Sequence, residues 1–368
     1  MRRWVSRSLA LGLLLATLGI SSRGADALAP QVAKLQLELV EAIQAGDHAK
    51  AVTVGKKIVE LAPQDADAHY NLACAWGRQG DRELAIASLA KAIERGYSDP
   101  AYLKTEEDFA ALREDPRFVE FQKGARANDL KGGFEKGAEL PGVKTVEEHP
   151  EGGLRYRLRM SPQATEAKPN RLIVWFHPSG GSMNGVVDRF VPLLLEHGFA
   201  LLVTTKKQLA GWDEREVERL LELTLPEVEK VAGLDASKPL LMGFSAGGQV
   251  ALKEWAKKPG AFSGLILNAA YPMDAEKQIR GEVVPMELPK GEELKKVPMF
   301  VLMGDQDGGA KIWKAVEQDW KKAGVPLTLR WVPGAKHQWL FDKTQTEELG
   351  KWLSALAAGK VPADKPAP

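Results

Sequence analysis

The sequence predicts an α/β protein, a mostly parallel sheet with helices on both faces, preceded by a small all-α domain. Three observations carry that reading. Beyond residue 150, short continuously apolar runs bounded by turn residues alternate with helical stretches, which is how strands buried on both faces look in sequence. From 32 to about 122 the apolar residues instead recur at three- and four-residue steps with no strand-like alternation, the period of amphipathic helices. Between them, residues 124–150 are rich in Gly, Lys and Glu, with Gly132-Gly133, Gly137 and Pro141-Gly142 as breakers, so the domain boundary falls there.

Composition bounds the rest. A length of 368 residues suits two domains. Hydrophobic residues at 44% and charged residues at 27% are ordinary globular values, enough for real cores and against wholesale disorder. The 50 basic residues against 49 acidic ones, with no run of five like charges, leave no electrostatic footprint for nucleic acid. Cys74 is the single cysteine, so neither an intramolecular disulfide nor a Cys-based metal site is expected, and its helical surroundings make core packing its role. The sequence has no H-E-x-x-H, no G-x-x-x-x-G-K-[ST] and no dinucleotide fingerprint, so no cofactor and no metal is expected.

In chain order, Arg2, Arg3 and Arg7 precede a 12-residue apolar stretch, residues 9–20, followed by small and polar residues and the triplet Ala25-Asp26-Ala27. That is the order of a secretory signal peptide, here 1–27, and the apolar stretch is short of the roughly 20 residues a bilayer span needs. A secreted or periplasmic protein without a permanent membrane anchor is the expectation. Removing four basic residues and one acidic from 50 and 49 leaves a net charge of −2.

The helical domain is placed at 28–126. Gly46-Asp47 recurs as Gly80-Asp81, and Ala51 as Ala85, each at an offset of 34. Leu72, Ala73, Ala75 and Trp76 mark a first helix, Gly80 a turn, and Ala85, Leu89 and Ala92 a second. Over about two units this resembles the tetratricopeptide family, with helix pairs of that period, although the first copy carries Glu38 and Leu39 where the second has Leu72 and Ala73. Two units are fewer than a stable stack normally needs, so a helix expected at about 108–123 caps it or the whole docks on the second domain. The resemblance implies a protein partner for the repeats, against a purely structural helical hairpin bundle. A linker follows at 127–150.

The second domain is placed at 151–358, with a disordered tail at 359–368. Strands are expected at 172–176, 200–204, 239–242, 265–267, 299–303 and 327–331, and helices at 214–231, 246–257, 311–323 and 344–356. Between the strand ending at Met242 and the helix from Ala246 stands Gly243-Phe244-Ser245-Ala246-Gly247, a G-x-S-x-G nucleophile elbow in its required setting. A serine hydroxyl is a poor nucleophile at neutral pH and needs a base held by a carboxylate. His337 is the one histidine after Ser245, in a loop just past the strand ending at Trp331.

With these residues the segment from about 150 to 358 resembles the α/β-hydrolase superfamily, most closely its small exported esterases: polyhydroxybutyrate depolymerase-like, feruloyl-esterase-like and dienelactone-hydrolase-like members. The resemblance implies the chain order Ser, Asp, His, with the acid three residues after the glycine ending its strand, which is Asp307 after Gly304. Asp305 is then a turn former, and Asp274 a distant third candidate. It further implies an oxyanion hole from the backbone N–H of Ala246 and one from the loop His177-Pro178-Ser179-Gly180-Gly181-Ser182. That loop departs from the family's histidine-glycine pattern, because Pro178 has no N–H. Ser179 and Gly180 are the candidate donors, and His177 is expected to orient the loop.

Little chain lies between the strands at 265 and 299, so an open site is expected. Trp212, Tyr271 and Trp339 are candidates for an acyl pocket or for core and rim packing. The implied activity is hydrolysis of a small-molecule or polymeric carboxylic ester through an acyl-enzyme. The alternatives are a serine peptidase of the same fold and a non-catalytic platform that binds a protein through the repeats.

Overall fold

The computed structural model describes residues 25–131, 135, 137–205, 212–279 and 282–364. The expected signal segment, apart from residues 25–27, lies outside the described residues, as do residues 365–368 of the expected tail. No helix among the described residues is long and apolar enough to cross a membrane. Contacts divide the chain into two compact units, residues 25–131 with 151–153 and residues 135–150 with 154–364.

The first unit is all helical: α1 (Ala25–Gln44), α2 (His48–Leu61), α3 (Ala66–Gln79), α4 (Arg82–Glu94), α5 (Pro100–Thr105) and α6 (Pro116–Lys131). The 34-residue recurrence has a structural counterpart. Gly46 and Gly80 end α1 and α3 at φ 72° and 87°, a left-handed turn that costs glycine little. Asp47 and Asp81 then cap α2 and α4, accepting from Lys50 N at 3.0 Å and Leu84 N at 3.2 Å. Ala51, Val54 and Ile58 of α2 and Ala73, Ala85, Leu89 and Ala92 of α3 and α4 are buried together, and Cys74 is buried among them.

The single helix expected at 108–123 is two pieces, a 3-10 turn over Glu107–Leu112 and then α6. Pro116 takes the first position of α6, where its missing N–H costs nothing. Asp115 before it accepts from Arg117 N at 2.9 Å and binds the guanidinium groups of Arg82 and Arg117. Those hydrogen bonds, Arg117 foremost, hold the Asp115 carboxyl well below the usual carboxylate range.

The second unit is built on an eight-stranded sheet of β1 (Lys144–Glu148), β2 (Tyr156–Met160), β3 (Asn170–Phe176), β4 (Phe199–Thr204), β5 (Leu234–Phe244), β6 (Gly264–Asn268), β9 (Met299–Gly304) and β10 (Leu327–Val332). The two remaining strands, β7 (Met273–Ile279) and β8 (Glu282–Pro285), pair with each other as a separate antiparallel ribbon. In the large sheet the order is β1-β2-β4-β3-β5-β6-β9-β10. β2 runs antiparallel to β1 and β4, and the remaining pairs are parallel. The helices are α7 (Asn184–Val187), α8 (Val191–Glu196), α9 (Glu214–Glu218), α10 (Leu225–Val228), α11 (Ala246–Lys257), α12 (Ala310–Lys322) and α13 (Lys343–Ala357).

Alternate residues of β3 explain the apolar runs. Leu172, Val174 and Phe176 pack on one face with Leu252 and Trp255 of α11 and Trp313 of α12. Ile173 and Trp175 pack on the other with Leu194 of α8 and Leu349 and Leu353 of α13. Both faces are covered, so no polar side is left in the strand sequence. This is the α/β-hydrolase fold that the sequence predicts.

Four differences from expectation have identifiable causes. Residues 144–148 of the expected linker are edge strand β1, whose five residues are mostly exposed and polar. β2 (Tyr-Arg-Leu-Arg-Met) was not expected as a strand, and all five residues are buried. Tertiary partners neutralise its two arginines: Arg157 donates to Glu147 at 2.6 Å, and Arg159 to Asp188 at 3.0 Å, Thr145 at 2.7 Å and the carbonyl of Ala138 at 2.7 Å. The helix expected at 214–231 is α9, a π-turn over Arg219–Thr224, and α10; Pro226 has no N–H for an ordinary helical bond, and the register widens just before it. The tail expected to be disordered is held as far as Asp364, whose N–H reaches the Leu327 carbonyl at 3.2 Å and whose carboxylate pairs with Arg330 at 2.8 Å. It thereby covers part of the free edge of β10.

The Arg159–Asp188 pair is enclosed, with side chains 5% and 0% exposed. Asp188→Ala leaves a buried guanidinium without its carboxylate, and the expected loss is about 3–5 kcal/mol of unfolding free energy, read as a lowered urea midpoint with unchanged slope. A midpoint equal to that of the unaltered protein would show that the pair does not stabilise the fold.

Candidate active site

Ser245 sits where β5 passes into α11, and the three glycines around it are there for space. A Cβ on Gly243 would stand 2.5 Å from the Gly247 carbonyl carbon, and one on Gly247 only 2.0 Å from the Phe176 carbonyl oxygen. A Cβ on Gly248 would meet that of Ala270 at 2.4 Å. The helix therefore starts against the end of β3, and Ser245 is forced to φ 53° and ψ −122°, a conformation that costs a non-glycine residue about 1–3 kcal/mol. Its N–H is fixed by the Asn268 carbonyl of β6 at 3.0 Å. The side chain is thus raised above the carboxyl end of the sheet.

Two loops converge on it. After β9, Asp307 is buried with its side chain 2% exposed, and one carboxylate oxygen accepts from Gly309 N at 2.8 Å. After β10, His337 lies on a loop held to the first: Gly334 N donates to Asp305 at 2.8 Å, and Gln306 N to the Ala335 carbonyl at 3.0 Å. The chain of contacts is continuous. His337 Nδ1 is 2.7 Å from Asp307 Oδ2, and His337 Nε2 is 2.7 Å from Ser245 Oγ. A carboxylate only accepts, so Nδ1 carries the proton and Nε2 is free to accept from the serine hydroxyl.

Of the three carboxylates weighed from sequence, Asp307 is the one on the imidazole. Asp305 takes the turn role, tying down the histidine loop through Gly334. Asp274 stands in β7 opposite Val284 of β8.

The loop after β3 runs past the elbow, the carbonyls of Phe176 and His177 lying against Gly247. His177 is buried, stacked on Trp212 at 4.6 Å, and its carbonyl accepts from the Trp212 indole at 3.0 Å. Its Nδ1 lies 2.8 Å from the Pro178 carbonyl of the same loop. Ser179 and Gly180 form its exposed turn, Gly180 at φ 80°. Ala246 opens α11, where the first N–H groups have no partner inside the helix and the helix dipole is positive. The structure thus brings Ser245, His337 and Asp307 into one hydrogen-bonded line, with Ala246 next to Ser245.

The aromatic candidates each make packing contacts. Trp212 covers Phe176 and His177, Trp339 packs edge-on against Trp175, Phe190 and Phe244, and the Tyr271 ring lies against Gly309. Sequence reasoning did not single out Phe244, which stacks on His337 at 5.7 Å, nor Asn268 and Gly309. The last two act through backbone atoms, which every residue type carries, so composition gave no signal for them.

Among the described residues one group of potential cation ligands comes together, Cys74, Glu106 and Asp108 in the helical unit, within 4.8 Å of one another. Burial pushes the Cys74 thiol well above its ordinary pKa, with the nearby Glu106 and Asp108 adding to it, and Asp108 already pairs with Arg78 at 2.8 Å.

No protein-family model matches the sequence, and no curated protein matches it. Among solved structures the chain is similar to an uncharacterized protein from Bacillus cereus ATCC 10987, at 17% identity over 88% of this chain and 98% of that one, with a TM-score of 0.38. It is similar to a ferulic acid esterase from the anaerobic fungus Anaeromyces mucronatus at 14% identity, over 62% and 96% of the two chains, TM-score 0.45. An S-formylglutathione hydrolase from Agrobacterium tumefaciens is similar at 13% identity, over 61% and 99%, TM-score 0.45.

Proposed function

We propose that this chain is an exported serine hydrolase that cleaves a carboxylic ester through an acyl-enzyme. The observation that carries the reading is the unbroken line from Ser245 Oγ through His337 to Asp307, at 2.7 Å on each side of the imidazole. Ser245 Oγ attacks the ester carbonyl carbon while His337 Nε2 takes the hydroxyl proton. Asp307 holds the imidazole in the accepting tautomer and stabilises the imidazolium. The oxyanion of the tetrahedral intermediate is met by the Ala246 N–H and by an N–H of Ser179 or Gly180. His337 then passes its proton to the departing alkoxide, and water, activated by the same nitrogen, releases the acid.

The site needs no cofactor in this scheme. An exposed histidine, its side chain 47% accessible, supports an open site for a solvent-exposed ester. Burial of Cys74 suits an oxidising compartment, where an accessible lone thiol is a liability. The test is covalent labelling of the purified protein by a fluorophosphonate, with hydrolysis of acyl esters measured beside that of aminoacyl amides. Labelling with ester turnover is expected. Amide turnover alone would make the chain a peptidase, and a folded protein that takes no label would leave the binding-platform alternative.

A further inference from the structure

The loop that carries Ser179 and Gly180 is gripped at its far end by one carboxylate. Ser182 Oγ donates to Glu135 Oε1 at 2.6 Å, and Asn184 Nδ2 donates to Glu135 Oε2 at 2.7 Å. Between those two residues stands Met183 at φ 51°, one of three non-glycine residues with positive φ among the described residues. The other two are Ser245 and Ala269. The carboxylate therefore straddles the one strained side-chain-bearing residue of this loop, taking one hydrogen bond from each flank.

Glu135 is itself held from two directions. Its N–H reaches the Thr205 carbonyl, just past β4, at 3.2 Å, and its carbonyl accepts from the Arg157 guanidinium of β2. The loop has further anchors at both ends: Trp175 Nε1 to the Ser182 carbonyl at 3.0 Å, Asn184 Nδ2 to the Thr204 carbonyl at 2.8 Å, and Trp212 Nε1 to the His177 carbonyl at 3.0 Å. Residues 179 and 180 lie between these anchors as an exposed turn. Their course is set by the backbone angles on either side, and a left-handed methionine costs about 1–3 kcal/mol unless its surroundings hold it. Released from Glu135, Met183 relaxes toward the right-handed region and redirects the loop.

We propose that Glu135 is a positioning residue of the catalytic site, holding Met183 left-handed so that the Ser179–Gly180 turn keeps its N–H groups on the oxyanion. The proposal rests on the ester-hydrolase reading given above. Glu135 touches no reacting atom in it. Its effect belongs to the transition state, because the oxyanion exists only there.

The experiment compares the full chain with Glu135→Ala, Glu135→Gln and the double variant Glu135→Ala with Met183→Gly. Each is read by kcat and KM on an acyl ester and by amide hydrogen exchange over residues 178–186. A misplacement of this kind costs about 10- to 100-fold in rate, so Glu135→Ala is expected to lower kcat by that factor with KM changed less than about threefold, and to speed exchange in the loop. Glu135→Gln still accepts from Asn184 and can pair with the Ser182 hydroxyl, and is expected to stay within about threefold of the unaltered protein. Glycine at 183 adopts positive φ without strain, so the double variant is expected to recover most of the lost kcat.

A purely structural role gives a lowered unfolding midpoint with kcat unchanged below it and no recovery by Met183→Gly, and that outcome overturns the proposal. Unchanged loop exchange in Glu135→Ala overturns it as well. Failure of the ester-hydrolase reading is separate, since it shows as unlabelled, inactive unaltered protein, in which the exchange measurement still decides whether Glu135 holds the loop.

Discussion

Ser245→Ala is expected to lose fluorophosphonate labelling completely and ester turnover by about 10⁶-fold, while its unfolding free energy from urea titration stays within about 1 kcal/mol of the unaltered protein. The size follows from removal of the nucleophile in a unit whose members act together, so that losing the serine costs about as much as losing all of them. The fold should survive, because alanine keeps the Cβ that already sits at φ 53° and what disappears is one hydrogen bond to an exposed imidazole. The measurement is mass-spectrometric location of the adduct in the unaltered protein and its loss in the variant. An adduct that persists after Ser245→Ala would place the nucleophile elsewhere.

Asp307→Asn is expected to lower kcat by about 10⁴-fold, roughly 5.5 kcal/mol of transition-state stabilisation. An asparagine amide in place of the Oδ2 oxygen donates to His337 Nδ1. The proton then moves to Nε2, which can no longer accept from Ser245 Oγ. Asp305→Asn is the control, since an asparagine oxygen can still accept from Gly334 N as the carboxylate does at 2.8 Å; its effect is expected to stay within about tenfold. Comparing the two variants with one ester substrate settles the acid. A collapse of activity in Asp305→Asn with Asp307→Asn unaffected would reverse the assignment.

Much of the fold was legible because its signals are local. Five of the six parallel strands could be read from continuous apolar runs, since burial on both faces leaves few polar positions within them, while the edge strand β10 carries Thr328 and Arg330 among its apolar residues. The elbow could be read because its glycines answer to backbone clashes of 2.0–2.5 Å, which no other residue type relieves. β1 and β2 escaped because their sequences are charged. Arg157 and Arg159 become core residues only through Glu147 and Asp188, 10 and 29 positions away, and no local pattern announces partners at that separation. The tail escaped for the same reason, Asp364 being held by Arg330, 34 positions earlier.

At the site the division is similar. Legible in the sequence were Ser245, His337, the competing carboxylates Asp305 and Asp307 between them, and the strand ends that bear them, because short-range turn and strand chemistry leaves marks on neighbouring residues. Folding alone selects Asp307 for the imidazole and leaves Asp305 to hold its loop, sets the Asn268 carbonyl on the Ser245 N–H and the Gly309 N–H on Asp307, and brings Glu135 to Ser182 and Asn184. Those are choices among hydrogen-bond partners brought together by folding. Some of their donors and acceptors are backbone atoms, common to every residue, and the others are side chains far apart in the sequence, so neither shows until the chain is folded.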